Sequence, residues 1–222
     1  MQSLERNSGM TQLEIVSEYE KNVGYFIIKR IIDIIGALWG ILLLAPVMIV
    51  VAIWIKLGSK GPVFFTQERI GQDGRGFMMY KFRSMCTNAE YLLEKLQGQN
   101  EMSGPMFKMK EDPRVTKVGK FIRKTSIDEL PQLFNILKGE MSLVGPRPSL
   151  PKEVAQFSSF QKQRLVAKPG LTCYWQVRGR SDVSFEEWME MDVQYIEERT
   201  TLIDIGLIFK TVGVLFGDEG AR

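Results

Sequence analysis

The chain has 222 residues, 45% of them hydrophobic, enough to bury one sizeable core and still supply a membrane segment. Its formal net charge of +3 is too small for bulk nucleic-acid wrapping; the cations cluster instead at 21–30, 56–60, 69–83 and 108–124, among Phe and Met, a pattern suited to membrane lipids or a diphosphate. The histidine count is 0, which excludes Ser-His-Asp triads, Cys-His dyads and His-ligated zinc, and leaves carboxylates, Lys, Arg, Tyr and an oxygen-held metal as catalysts.

Residues 1–28 read as an N-terminal extension with no assignable role. From 34 to 55 no residue is charged, and at 1.5 Å per residue this is about 33 Å of helix, enough to cross a hydrocarbon core. No small-residue cleavage site follows, so the segment is expected to stay attached. Pro46 sits near its middle and removes a backbone hydrogen bond. Two geometries follow: a kinked spanning helix, or a break at Ala45-Pro46 into halves of about 18 and 15 Å that dip into one leaflet and return. Lys29 and Arg30 before the segment, and Lys56 and Lys60 after it, place both ends on the cytoplasmic side and favour the re-entrant form. Asp33, one turn after Lys29, is expected to pair with Lys29 or Arg30.

A composition shift at 59–61 opens the soluble part, 59–222. Strands are expected at 62–67 and 77–83, joined as a β-hairpin by the Asp-Gly signal within 71–76. The glycines there do not follow the dinucleotide-binding order, so a Rossmann fold is rejected. Helices are expected at 88–99, at 131–137 with a stop at Gly139, at 157–167 and at 185–198, with 171–177 extended. The apolar tail 202–216 is too short to span and reads equally as an interfacial or a core helix. Cys86 and Cys173 lack metal-site or disulfide spacing and fit a cytosol-facing domain.

The chemistry concentrates at Asp128 and Glu129, preceded by Arg123 and Lys124 and followed by Pro131. A carboxylate at a helix mouth is expected to be held ionised by the dipole. An ionised Asp can attack phosphorus, and its neighbour can hold Mg²⁺. Ser126-x-x-Glu129 equally fits a capping box, in which Glu129 only satisfies a helix-start amide. Arg147, between Pro146 and Pro148, is backbone-restricted and ready to fork onto phosphate oxygens. Lys81 and Arg83 share a strand face by period-two spacing. Arg114, in Asp112-Pro113-Arg114, is a turn arginine.

With these residues in view, the chain resembles the bacterial sugar transferase family, the monotopic phosphoglycosyl transferases. Seven ordered blocks carry the resemblance from Lys29 to the C-terminus: Lys29-Arg30-x-x-Asp33, Gly61-Pro62-Val63-Phe64-Phe65, Lys81-Phe82-Arg83-Ser84-Met85, Asp112-Pro113-Arg114, Asp128-Glu129-Leu130-Pro131-Gln132, Pro146-Arg147-Pro148 and Pro169-Gly170-Leu171-Thr172. Lys60 and Cys173 depart from the usual proline and glycine.

The resemblance implies a helix-rich α+β monotopic protein, with a re-entrant, proline-broken membrane helix at 29–58 and a cytoplasmic catalytic domain with a small hairpin at 59–222. It implies that Asp128 attacks the β-phosphate of a UDP-sugar, releasing UMP, while Glu129 binds Mg²⁺ and Arg147, Lys81, Arg83, Arg123 and Arg114 line the phosphates. Undecaprenyl phosphate then takes the sugar phosphate, as the first membrane step of polysaccharide or glycoconjugate assembly at the bacterial inner membrane. The C-terminal part resembles hexose-1-phosphate transferases, so UDP-glucose or UDP-galactose is expected. A homo-oligomer is left open. Two other readings of the residues stand beside this one: a non-catalytic membrane-surface adaptor, and a lipid phosphatase using Asp128.

Overall fold

The computed structural model describes residues 23–101, 104–107, 109, 111–178 and 183–217; most of the expected N-terminal extension lies outside them. The first described element, α1 (Val23–Gly58), is a single helix of 36 residues, about 54 Å long. It runs through Ala45 and Pro46 with every residue helical, so the expected break into two half-helices is absent from the backbone. Pro46 still forfeits one hydrogen bond. Packing on both sides offsets that loss. Ala37 and Ile41 before it join a cluster with Met79, Leu133, Ile136 and Met141. Met48, Val51 and Ile55 after it join one with Phe82, Val118 and Ile122. These positions form one stripe at helical spacing. On the other faces Leu38, Leu42, Ile49 and Ile53 are exposed.

Strands β1 (Phe64–Ile70) and β2 (Gly76–Phe82) pair antiparallel, with Phe64 opposite Phe82 and Ile70 opposite Gly76. The Asp-Gly turn lies where the sequence signals it: Asp73 and Gly74 both take positive φ, 57° and 76°. Helices α2 (Ala89–Leu96), α3 (Lys117–Lys124) and α4 (Gln132–Lys138) follow. Thr116 caps α3 by accepting from the Gly119 amide, and left-handed Gly139 closes α4.

Strand β3 (Ser142–Val144) pairs in parallel with β4 (Gly170–Thr172), and the short helices α5 (Pro151–Val154) and α6 (Ser159–Lys162) lie between them in sequence. The single helix expected over 157–167 is α6 plus a 3₁₀ turn, Gln163–Val166. The extended run expected at 171–177 stops at Thr172, and α7 (Tyr174–Arg178) follows. Tertiary contact decides this: the Tyr174 ring meets Tyr195 of α8 (Phe185–Glu198) edge to face, centroids 6.0 Å apart. The tail forms α9 (Thr201–Gly217), which packs on the body through buried Asp204 and Leu207 and leaves Leu202, Phe209 and Val212 exposed.

The blocks around residue 30 tie α1 to the body. Asp33 accepts from Ser142 Oγ at 2.9 Å and from the Leu143 amide at 2.8 Å, in place of the expected pairing with Lys29 or Arg30. Arg30 donates to the carbonyls of Ile136 and Leu137 at the end of α4, at 2.6 and 2.8 Å. Lys29 donates to Val144 O and to Asp204 Oδ2, both at 2.8 Å. The sequence boundary at 59–61 is therefore a turn in the chain and not a packing boundary.

Candidate active site

Three segments converge. Lys81 comes from β2, Asp128 and Glu129 from a 3₁₀ turn (Ile127–Glu129) between α3 and α4, and Arg147 from the loop after β3. Glycine lets α3 seat itself here: a Cβ on Gly119 would lie 1.8 Å from Ser84 O, just beyond β2. The chain then reverses at Ser126, which takes a left-handed φ of 55°, uncommon for a residue with a Cβ. With that geometry Ser126 makes no side-chain cap, so the capping-box reading of Glu129 does not hold. Asn135 locks α4 onto the hairpin edge: its Oδ1 accepts from the Tyr80 amide at 3.0 Å and its Nδ2 donates to Met78 O at 2.7 Å. The side-chain amide thus stands in for a neighbouring strand and sets Lys81 opposite the carboxylates.

Lys81 Nζ lies 2.8 Å from Glu129 Oε1 and 4.0 Å from Asp128 Oδ2. Arg147 Nη1 lies 3.0 Å from the same Glu129 oxygen. Burial pushes the Glu129 carboxyl up, but Arg147 and Lys81 outweigh it and hold the group well below its ordinary range. Asp128 is only 7% exposed and accepts no hydrogen bond among the described residues. Burial raises its carboxyl above the ordinary value, Lys81 pulls it back and Glu129 adds to the rise. The expected helix-dipole stabilisation is replaced by these side-chain cations, because the carboxylates lie in the 3₁₀ turn ahead of α4. Lys81 is lowered by burial, against the pull of Glu129, while Glu129 raises Arg147.

Arg147 is presented on a loop whose four successive carbonyls are all engaged. Pro146 O accepts from the Gly170 amide at 3.0 Å and Ser149 O from the Ile70 amide at 2.9 Å. Arg147 O accepts from Arg164 at 2.7 Å and Pro148 O from Arg69 at 3.1 Å. Gly145 and Gly170 permit this closeness, since a Cβ on Gly170 would lie 2.1 Å from Gly145 N.

The remaining expected cations are placed differently. Arg83 falls just past the end of β2 and turns to the end of α1, donating to Ser59 O and Ser59 Oγ at 2.9 Å each and to Lys60 O. Period-two spacing predicts a shared face only within the strand. Arg114 pairs with its own neighbour Asp112 at 2.6 Å and lies over the Phe107 ring, so it stiffens a turn. Arg123 is exposed in the last turn of α3 and acts on Asp128 through its field. Sequence reasoning passed over Arg69, Arg164, Asp192 and Trp175. Arg69 lies in a noted basic cluster, and burial followed by Arg147 lowers it to about 10. Arg164 and Asp192 are far apart in sequence and carry no local signal.

Among the described residues no three Asp, Glu, Cys or His side chains cluster as a metal cage. Asp128 and Glu129 are the pair whose carboxylates can serve a cation together with a ligand's oxygens.

The sequence model of the family described as bacterial sugar transferase matches residues 24–218. The chain is 48% identical over 199 residues to galactosyl transferase CpsE of Streptococcus agalactiae, covering 89% of this chain and 44% of that protein. It is 41% identical over 214 residues to undecaprenyl-phosphate galactose phosphotransferase of Salmonella typhimurium, covering 94% and 44%. The exopolysaccharide production protein ExoY of Rhizobium meliloti is 39% identical over 197 residues, covering 87% of each chain. The chain thus spans less than half the length of the first two of these relatives, and most of the third. On this match the chain belongs to the bacterial sugar transferase family.

Proposed function

We propose that this chain transfers a sugar 1-phosphate from a UDP-sugar to undecaprenyl phosphate, through a covalent aspartyl-phosphosugar intermediate on Asp128, with release of UMP. The observation that carries the reading is the state of Asp128: a buried carboxylate with no hydrogen-bond donor among the described residues, beside Lys81 and a Glu129–Arg147 pair. A carboxylate kept out of water and unencumbered by donors is a competent nucleophile.

Asp128 Oδ attacks the β-phosphorus, and the bond from that phosphorus to the oxygen bridging to the α-phosphate breaks, its electron pair leaving on UMP. Lys81 and Arg147 stabilise the charge that moves onto the phosphate oxygens. A phosphate oxygen of the polyprenol phosphate then attacks the same phosphorus and returns Asp128 to its carboxylate. Asp128 and Glu129 fit a magnesium ion, since Asp128 accepts no hydrogen bond among the described residues and Glu129 commits one oxygen to both cations. Bound there, Mg²⁺ would neutralise diphosphate charge.

For the membrane we propose a one-sided attachment with both ends of α1 cytoplasmic. Its packed stripe touches the body from Lys29 to Gly58, about 44 Å, leaving no lipid-clad stretch between two sides. Galactose is in the names of two relatives, so UDP-galactose is the first donor to test against UDP-glucose.

The test uses the full chain in liposomes with undecaprenyl phosphate, Mg²⁺ and donor labelled in the sugar. Label should pass to the protein and then to lipid, with UMP released, and Asp128→Asn should take no label. An adaptor would show no transfer. A lipid phosphatase would release inorganic phosphate from the polyprenol phosphate without donor.

A further inference from the structure

Behind the Arg147 loop lies a second, buried charge pair that the proposed reaction does not touch. Arg164 Nη2 is 2.6 Å from Asp192 Oδ2, and both side chains are at most 1% exposed. The same guanidinium donates to Arg147 O at 2.7 Å and to Ser149 Oγ. Aromatic contacts close the circuit on the other side of Arg147. Arg164 lies over the Trp188 ring at 5.6 Å, Trp188 stacks on Trp175 with centroids 4.4 Å apart, and Trp175 faces the Arg147 guanidinium at 5.8 Å. Backbone and side chain of Arg147 are therefore both referred to one hub, placed by α8.

A buried ion pair is weak support for stability, since apolar residues of similar volume serve as well. What apolar residues cannot do is donate to Arg147 O and Ser149 Oγ. We propose that Arg164, anchored by Asp192, is a positioning residue for Arg147, holding its loop so that the guanidinium meets the donor's diphosphate. This rests on the transferase reading. The hub also accounts for an otherwise unassisted loop: Pro146 and Pro148 offer no amide, so its fixation has to come through its carbonyls.

The test compares Arg164→Lys, which keeps the charge facing Asp192 but not the fork, and Asp192→Asn, each in the full chain with UDP-galactose as the varied donor. Both should lower kcat/KM by about 10- to 100-fold. In an Arg147→Lys background Arg164→Lys should add little, because its effect passes through Arg147. Amide exchange at Ile70 and Gly170, whose N–H groups hold Ser149 O and Pro146 O, should accelerate in both variants. An equal loss from Arg164→Lys with or without Arg147 overturns the proposal, as does unchanged exchange at those two amides. If the wild-type chain releases no UMP from any UDP-sugar, the transferase reading falls, and the exchange measurement still decides the brace.

Discussion

Lys29 and Asp204 form an ion pair of 2.8 Å between the first and last described helices, with side chains only 13% and 4% exposed. Tyr25 and Tyr195 also donate to the Asp204 carboxylate, at 3.0 and 2.7 Å. The pair fixes where the apolar helix meets the catalytic body. Removing one partner leaves an uncompensated buried charge, which costs about 3–5 kcal/mol. Asp204→Asn and Lys29→Met should each lower the denaturant midpoint strongly, and the double variant by less than their sum. Additive losses in a denaturant titration would show that the two side chains do not act as a pair.

Arg147 and Arg83 are both family-block arginines, yet they are predicted to respond oppositely to lysine. Lysine at 147 cannot reproduce the fork, so kcat/KM should fall about 10²- to 10³-fold with little change in melting temperature. Arg83→Lys loses contacts to Ser59 and Lys60 and should destabilise by about 1–3 kcal/mol while kcat stays near wild type. A collapse of kcat in a folded Arg83→Lys protein would place Arg83 in the chemistry after all.

Asp192 supplies a pH signature. Burial raises its carboxyl to about 6, against the opposing effects of Arg164, Cys173 and Trp188, which face it. Between the ordinary carboxylate range and pH 6 the folded chain keeps a proton that the unfolded chain has lost. Stability from this group is thus full at low pH and falls as pH rises to about 6, by roughly 3 kcal/mol. Activity should move the other way, because the charge pair with Arg164 exists only above that pH. Melting curves and transfer rates from pH 4.5 to 8 should both flatten near pH 6 in Asp192→Asn; identical profiles in wild type and variant would refute the assignment.

Topology gives a direct measurement. With Cys86 replaced by Ser and buried Cys173 by Ala, single cysteines introduced at Val23 or Lys60 bracket α1. In intact cells neither should react with a membrane-impermeant maleimide, and both should react once the inner membrane is opened. Labelling of the position-23 cysteine from outside would show that the helix crosses.

Local features were legible in the sequence and long-range ones were not. Asp73-Gly74 announces its turn because positive φ is a property of those two residues. Arg147 between prolines was legible for the same reason, whereas the four carbonyl contacts that hold its loop come from residues 17 to 79 positions away and leave no local trace. Tyr174 reads as extended until Tyr195 is placed against it. Pro46 reads as a break until the buried residues on both sides of it are counted in. Ser126 looked like a cap by spacing, but its left-handed backbone turns the chain instead and hands Glu129 to Lys81 and Arg147.

The continuous seam along α1 has a mechanical consequence. A catalytic domain hung from the end of a transmembrane anchor rises, sinks or tilts as lipid composition alters the hydrocarbon thickness. Here the anchor is welded side-on to the body, so under the one-sided attachment proposed above Asp128 keeps a constant height over the lipid. Bilayers of short or long acyl chains should then be equally good platforms for the enzyme.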